Sequence, residues 1–180
     1  MTWKNTEARY GSLSIALHWL MLILLAIVYA CIELRGNFAK GSDARVLIVQ
    51  LHFMTGLTVF VLVWIRLATK IVGAAPRIVP KPPAWQTGLA HLMHLAIYVF
   101  FIVLPTLGIL SRFYMGRTWW IFGIPMPVSG DPDPDFADMI ADWHETLAPY
   151  GYWLIGIHAV AALNAALLGR VNSGAGQHID

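Results

Sequence analysis

Four histidines, His18, His52, His144 and His158, lie inside or at the edge of long apolar runs, and His144 and His158 are fourteen residues apart in the same run. An ionisable imidazole surrounded by hydrocarbon is costly, so a histidine there reads first as a functional group whose partner has to be found. Imidazole is also a ready axial ligand for haem iron, and bundle cores grip cofactors through side chains on facing helices. Which of the four can stand opposite one another depends on the elements that carry them.

Those elements belong in a bilayer. Of the 180 residues 58% are hydrophobic and only 12% charged, far from a soluble domain, and the length allows about four spans of roughly 20 residues with connectors. Apolar runs cover residues 12–32, 46–65, 86–111 and 139–168. Arg66 and Lys70 close the second run, where both can snorkel, and Pro105 is expected to kink the third. Residues 74–83 hold four prolines and read as an extended connector. The stretch 112–141 carries Trp119, Trp120 and Phe122, then Asp131, Asp133, Asp135 and Asp138, with Asp142 just beyond; it reads as an interfacial aromatic patch followed by an acidic, water-facing turn. The first run, preceded by Lys4 and Arg9, has the outline of a secretory signal, but it is too long for a signal core and three spans follow it.

The fold expected is therefore an all-α membrane protein, a four-transmembrane-helix bundle. Residues 1–11 form an N-terminus, 12–168 the transmembrane domain and 169–180 a disordered tail that includes His178. Counting Lys and Arg places seven on the side of the termini and five (Arg35, Lys40, Arg45, Arg112 and Arg117) on the other, so the positive-inside rule puts both termini in the cytoplasm.

Topology then sorts the histidines by depth. His18 lies about six residues into a helix that starts inside, and His52 about six residues into one that starts outside. In the fourth run His144 lies near the outer edge and His158 about 21 Å deeper, at 1.5 Å per residue. His52 thus pairs with His144 outside, and His18 with His158 inside. Fourteen residues fall within about 40° of whole turns, so one helix can serve two stacked sites. Two imidazoles per iron leave no open position for a ligand, which suits electron transfer. Gly56 and Gly151, on the faces of these histidines, leave room for a flat macrocycle or for a neighbouring helix. His91 and His94 are rivals near the cytoplasmic face: either can replace His158 as partner of His18, line a quinone site or serve interfacial hydrogen bonding. Trp19 and Trp143, each beside a histidine, read as lipid anchors.

Several chemistries are excluded. Cys31 is alone, so there is neither an internal disulfide nor a Cys-x-x-Cys-His for covalent haem attachment. His144-Glu145 opens like a zinc-protease helix, but Ala148 stands where the second histidine is needed. No glycine-rich phosphate loop is present, and a net charge of +2 gives nucleic acid no basic face.

Leu17-His18-Trp19-Leu20, Glu33-Leu34-Arg35-Gly36, His52 through Gly56, Pro80-Lys81-Pro82, Thr87-Gly88-Leu89-Ala90-His91 with His94, and Trp143-His144-Glu145-Thr146-Leu147 together resemble the prokaryotic cytochrome b561 family over about residues 10–165. The resemblance implies a multi-pass protein of the bacterial inner membrane with two b-type haems, one on His18 and His158 at the cytoplasmic side and one on His52 and His144 at the periplasmic side. A superoxide oxidase within the family takes electrons from superoxide and delivers them to ubiquinone. Superoxide, ubiquinone and membrane lipid are the partners that this implies, with a redox subunit or a second copy of the chain beside them. Arg35, Arg112 and Arg117 are the outer cations available to draw an anion or to pair with haem propionates. Relatives often carry a double histidine and a basic tail where this chain has Asn164-Ala165-Ala166, so the quinone site falls to His91, His94 or Lys81. The alternatives are a cytochrome anchor that passes electrons from a dehydrogenase or hydrogenase subunit to quinone, and a haem-free transporter that uses the histidines for metal.

Overall fold

The computed structural model describes residues 2–73, 76 and 81–175, without the side chains from 168 onward. Helix α1 spans Ser12–Leu34, α2 Asp43–Val72, α3 Ala84–Tyr114, α4 Pro134–Leu147 and α5 Tyr150–Ala175. A two-strand hairpin, β1 (Trp120–Ile121) and β2 (Ile124–Pro125), lies between α3 and α4. Among the described residues four segments are long and apolar enough to cross a membrane: Ser12–Asn37, Asp43–Val72, Ala84–Tyr114 and the combined stretch Pro134–Leu167. At 30 and 31 residues, α2 and α3 run to about 45 Å and so extend beyond a hydrocarbon layer of about 30 Å.

Local chemistry explains the helix ends. The Ser42 hydroxyl accepts from Arg45 N at 3.3 Å and starts α2. Asp133 does the same for α4, accepting from Phe136 N at 3.0 Å, with Pro134 in the first turn where its missing N–H costs nothing. Past the N-terminus, Asn5 Oδ1 accepts from Gly11 N at 2.9 Å and Ser14 Oγ at 2.8 Å, which ties residues 2–10 over the start of α1. The hairpin turns through Phe122 and Gly123, both at positive φ (50° and 79°). Gln50 Nε2 donates to Trp120 O and fastens the hairpin to α2.

Helix α1 packs closely on α2 and α3 on α4, α2 and α3 join these pairs, and α5 rests more lightly on α3. The core of Met21, Val59, Val63 and Phe101 is sealed by Leu25, Ile97 and Ile155 among others. Met21 lies three residues after His18, and Val59 seven after His52, so this apolar layer falls between the two histidine levels.

Four expectations change. The fourth run is two helices, because Pro149 has no N–H to give to the carbonyl of Glu145; His144 therefore stands on α4 and His158 on α5. Helix α4 begins at Pro134, so Asp135, Asp138 and Asp142 are helical, and only Asp131 and Asp133 remain in the acidic turn. Trp119 is buried at 6% exposure, because it turns inward against Phe53 instead of lying at the interface. Helix α5 runs to Ala175, past the point where the sequence placed the tail. Most of the connector 74–83, together with His178, falls outside the described residues.

Candidate cofactor site

The outer pair is the better defined. The rings of His52 and His144 face each other with centres 6.2 Å apart and planes at 89°. A metal–imidazole bond of about 2 Å, taken twice and extended by a ring radius at each end, gives a span of about 6 Å. Both rings are oriented from behind. His52 Nδ1 donates to Val28 O at 3.2 Å, and His144 Nδ1 donates to Leu104 O at 2.8 Å. A carbonyl oxygen can only accept, so each Nδ1 carries the proton and each Nε2 keeps its lone pair for a ligand bond.

Around this pair lies a cavity of about 470 Å³, within the range of cofactor pockets. Gly56 is in its wall, one turn after His52, and nothing lies within 4 Å of where a Cβ would stand. Gly108, on α3, would bring a Cβ to 3.3 Å from the His144 ring, so a side chain there presses directly on the imidazole. Gly151 does not serve the cavity; a Cβ there would collide with the Tyr29 hydroxyl, and its smallness serves helix packing.

The polar wall carries charges of both signs. Arg35 reaches Glu145 at 3.9 Å, with side chains 36% and 63% exposed, a pair worth little to stability. The Arg112 guanidinium sits 5.3 Å over the Phe53 ring, and both Arg112 Nε and Trp119 Nε1 are buried without a hydrogen-bond partner among the described residues. Buried donors left open in this way favour an acceptor in the cavity. Arg117 is exposed nearby, within electrostatic reach of Arg112.

At the inner level three rings gather. His18 and His158 have centres 6.4 Å apart, the span that two ligand bonds require, while His94 lies 5.5 Å from His158, closer to direct ring contact. Arg66, with Nη1 buried and unpartnered among the described residues, is within electrostatic reach of all three. Lys70 Nζ stands 5.2 Å over the Tyr98 ring and acts on His94. His91 and Lys81 are exposed, Lys81 just before α3 begins, and no ring contact joins His91 to this group.

The structure thus brings His52 to His144, and His158 to both His18 and His94. Sequence reading missed Gly108, Tyr29, Tyr152 and the two orienting carbonyls. The tyrosines carried a signal, since a phenol in an apolar run needs a polar partner; the carbonyls carried none.

The family model described as prokaryotic cytochrome b561 matches residues 9–173. Cytochrome b561 homolog 1 of Escherichia coli K12 is 43% identical over 155 residues, covering 86% of this chain and 88% of that protein. The probable superoxide oxidase CybB of Yersinia pestis is 40% identical over 155 residues, covering 86% and 87%. Cytochrome b561 homolog 2 of Escherichia coli K12 is 27% identical over 156 residues, covering 79% and 78%.

Proposed function

The chain belongs to the prokaryotic cytochrome b561 family, a haem-b-binding, electron-transferring, multi-pass protein of the bacterial inner membrane, and from that premise we propose that it is a di-haem superoxide:quinone oxidoreductase. The observation that carries the reading is the outer histidine pair: two imidazoles at a two-bond span, both with Nε2 free, beside a cavity with an open glycine wall. Similarity to the probable superoxide oxidase of Yersinia pestis supplies the electron donor.

In this reading His52 and His144 would hold one haem near the periplasmic face, and His18 and His158 would hold the other near the cytoplasmic face, with both termini inside. Each haem, when bound, supplies reversible one-electron oxidation and reduction. The protein does the rest. With a histidine from each of two helices as its ligands, a haem at either site would have no open position for dioxygen, so the donor would give its electron without coordinating. Arg117, exposed beside Arg112, raises the local concentration of a small anion near the cavity, whereas Arg35 is partly committed to Glu145. The unpartnered donors on Arg112 and Trp119 suit carboxylates of the outer macrocycle, and Arg66 those of the inner one. Met21, Val59, Val63 and Phe101 keep the layer between the two levels dry. Quinone is reduced at the inner level, where His94 lies close to His158 with Lys70 in reach of His94, and His91 and Lys81 are the exposed groups that can bring protons in from the cytoplasm. Overall, two superoxide anions, one quinone and two protons give two dioxygen molecules and one quinol.

Purified protein mixed with superoxide and a soluble ubiquinone analogue tests this. Quinol should form at one per two superoxide consumed. Haem that is reduced only by a co-purifying dehydrogenase subunit, with no superoxide-dependent quinol, would assign the chain to an anchor role instead.

A further inference from the structure

Helix α1 carries neither outer histidine, yet two adjacent residues on it address both. Val28 O accepts a hydrogen bond from His52 Nδ1, and the Tyr29 hydroxyl donates to Ala148 O at 2.9 Å, across 119 residues of sequence. Ala148 ends α4 one turn after His144, and its own N–H donates back to His144 O at 3.0 Å. Tyr29 therefore bonds to the Ala148–Pro149 peptide, the one directly after the peptide that closes the last turn carrying His144.

That peptide is where the helix breaks. Pro149 withholds one backbone hydrogen bond, and within the chain the break between α4 and α5 is bridged by Gly151 N–H to Ala148 O at 3.0 Å and Tyr152 N–H to Pro149 O at 3.2 Å. The chain compensates from α1 at two points one turn apart. Tyr29 is seated against the backbone at Gly151, where a Cβ would collide with its hydroxyl. The Tyr152 ring packs on the Tyr29 ring at 4.3 Å, and its hydroxyl donates to Glu33 Oε1 at 2.8 Å.

We propose that Tyr29 is a positioning residue of the outer centre, clamping the α4–α5 break to α1 with help from Tyr152 and Glu33, so that His144 stays opposite His52. The proposal rests on the reading of that pair as haem ligands. Its consequence is that α1 sets the ring orientation of one ligand and the backbone position of the other, which makes the geometry of the outer iron depend on a helix that donates nothing to it.

The test uses the purified, haem-loaded protein and the Tyr29→Phe variant, which loses only the hydroxyl. Low-spin electron paramagnetic resonance should show the signal of one haem shifted or broadened and the other unmoved. Transfer of that haem to apomyoglobin should be about fivefold faster, the factor corresponding to one lost hydrogen bond of about 1 kcal/mol. Amide exchange at Gly151 and Tyr152 should accelerate as well. Tyr152→Phe should move the same signal in the same direction by less, and it carries the test if Tyr29→Phe yields too little protein. Unchanged spectra, transfer rates and exchange in the variant measured overturn the proposal. Wild-type protein lacking a second low-spin haem would defeat the underlying reading instead, and the two failures are thus distinguishable.

Discussion

Replacing Gly56 by alanine and by leucine separates a space kept for a planar cofactor from a glycine kept for helix packing. A glycine in mid-helix is less favourable than alanine by about 1 kcal/mol, and no atom lies within 4 Å of the added Cβ. Gly56→Ala should therefore stabilise the haem-free protein by roughly that amount, about a fivefold change in the folding equilibrium. In the loaded protein the sign should reverse, because in the proposed reading that space is given to the outer haem. Gly56→Leu places three further carbons in the cavity of about 470 Å³, on the face of α2 one turn from His52. The outer haem should be lost or severely weakened, and the pyridine haemochromogen yield should fall from two haems per chain toward one. Thermal unfolding in detergent, with and without haem, reads the first effect, and haem content the second. A Gly56→Leu protein that keeps two haems with wild-type spectra would refute the reasoning, as would a haem-free Gly56→Ala protein less stable than its parent, which would mean that the glycine serves packing.

Other substitutions divide the remaining roles. His52→Ala or His144→Ala should remove one haem and leave the other, with the reduced spectrum losing one component. His18→Gln should empty the inner site while His94→Gln keeps it and slows quinone reduction; the reverse outcome, read from haem content, would make His94 the ligand. Arg117→Gln should lower the second-order rate with superoxide by about threefold and flatten its dependence on salt, as measured by stopped flow. Arg35→Gln should change that rate less, because Glu145 already offsets its charge.

Much of the arrangement was legible because a bilayer imposes strong rules. Length and hydrophobicity located four spans, since every backbone group in hydrocarbon must be satisfied within a helix. Depth follows from chain order, which is why the sequence alone sets His52 level with His144. What the sequence hid depends on short-range geometry. Pro149 marked the break in the fourth span, but membrane helices often tolerate an internal proline, as α3 does at Pro105, and that concealed the signal. Trp119 resembled an interfacial anchor because composition does not tell which way a ring turns after a helix end. Gly108 has no periodicity relative to His144, forty residues away, and the orienting carbonyls of Val28 and Leu104 have no side-chain signature at all. At the inner level the sequence leaves His91 and His94 able to replace His158 as partner of His18, since all lie near the cytoplasmic face; the structure sets the His158 ring 6.4 Å from His18 and 5.5 Å from His94.

The most direct measurement is a potentiometric titration of the purified wild-type protein, followed optically and calibrated by haem content. Two independently placed histidine pairs predict two haems per chain, both low-spin, titrating as two one-electron waves. A single haem per chain, or high-spin iron that binds carbon monoxide readily, would contradict the account.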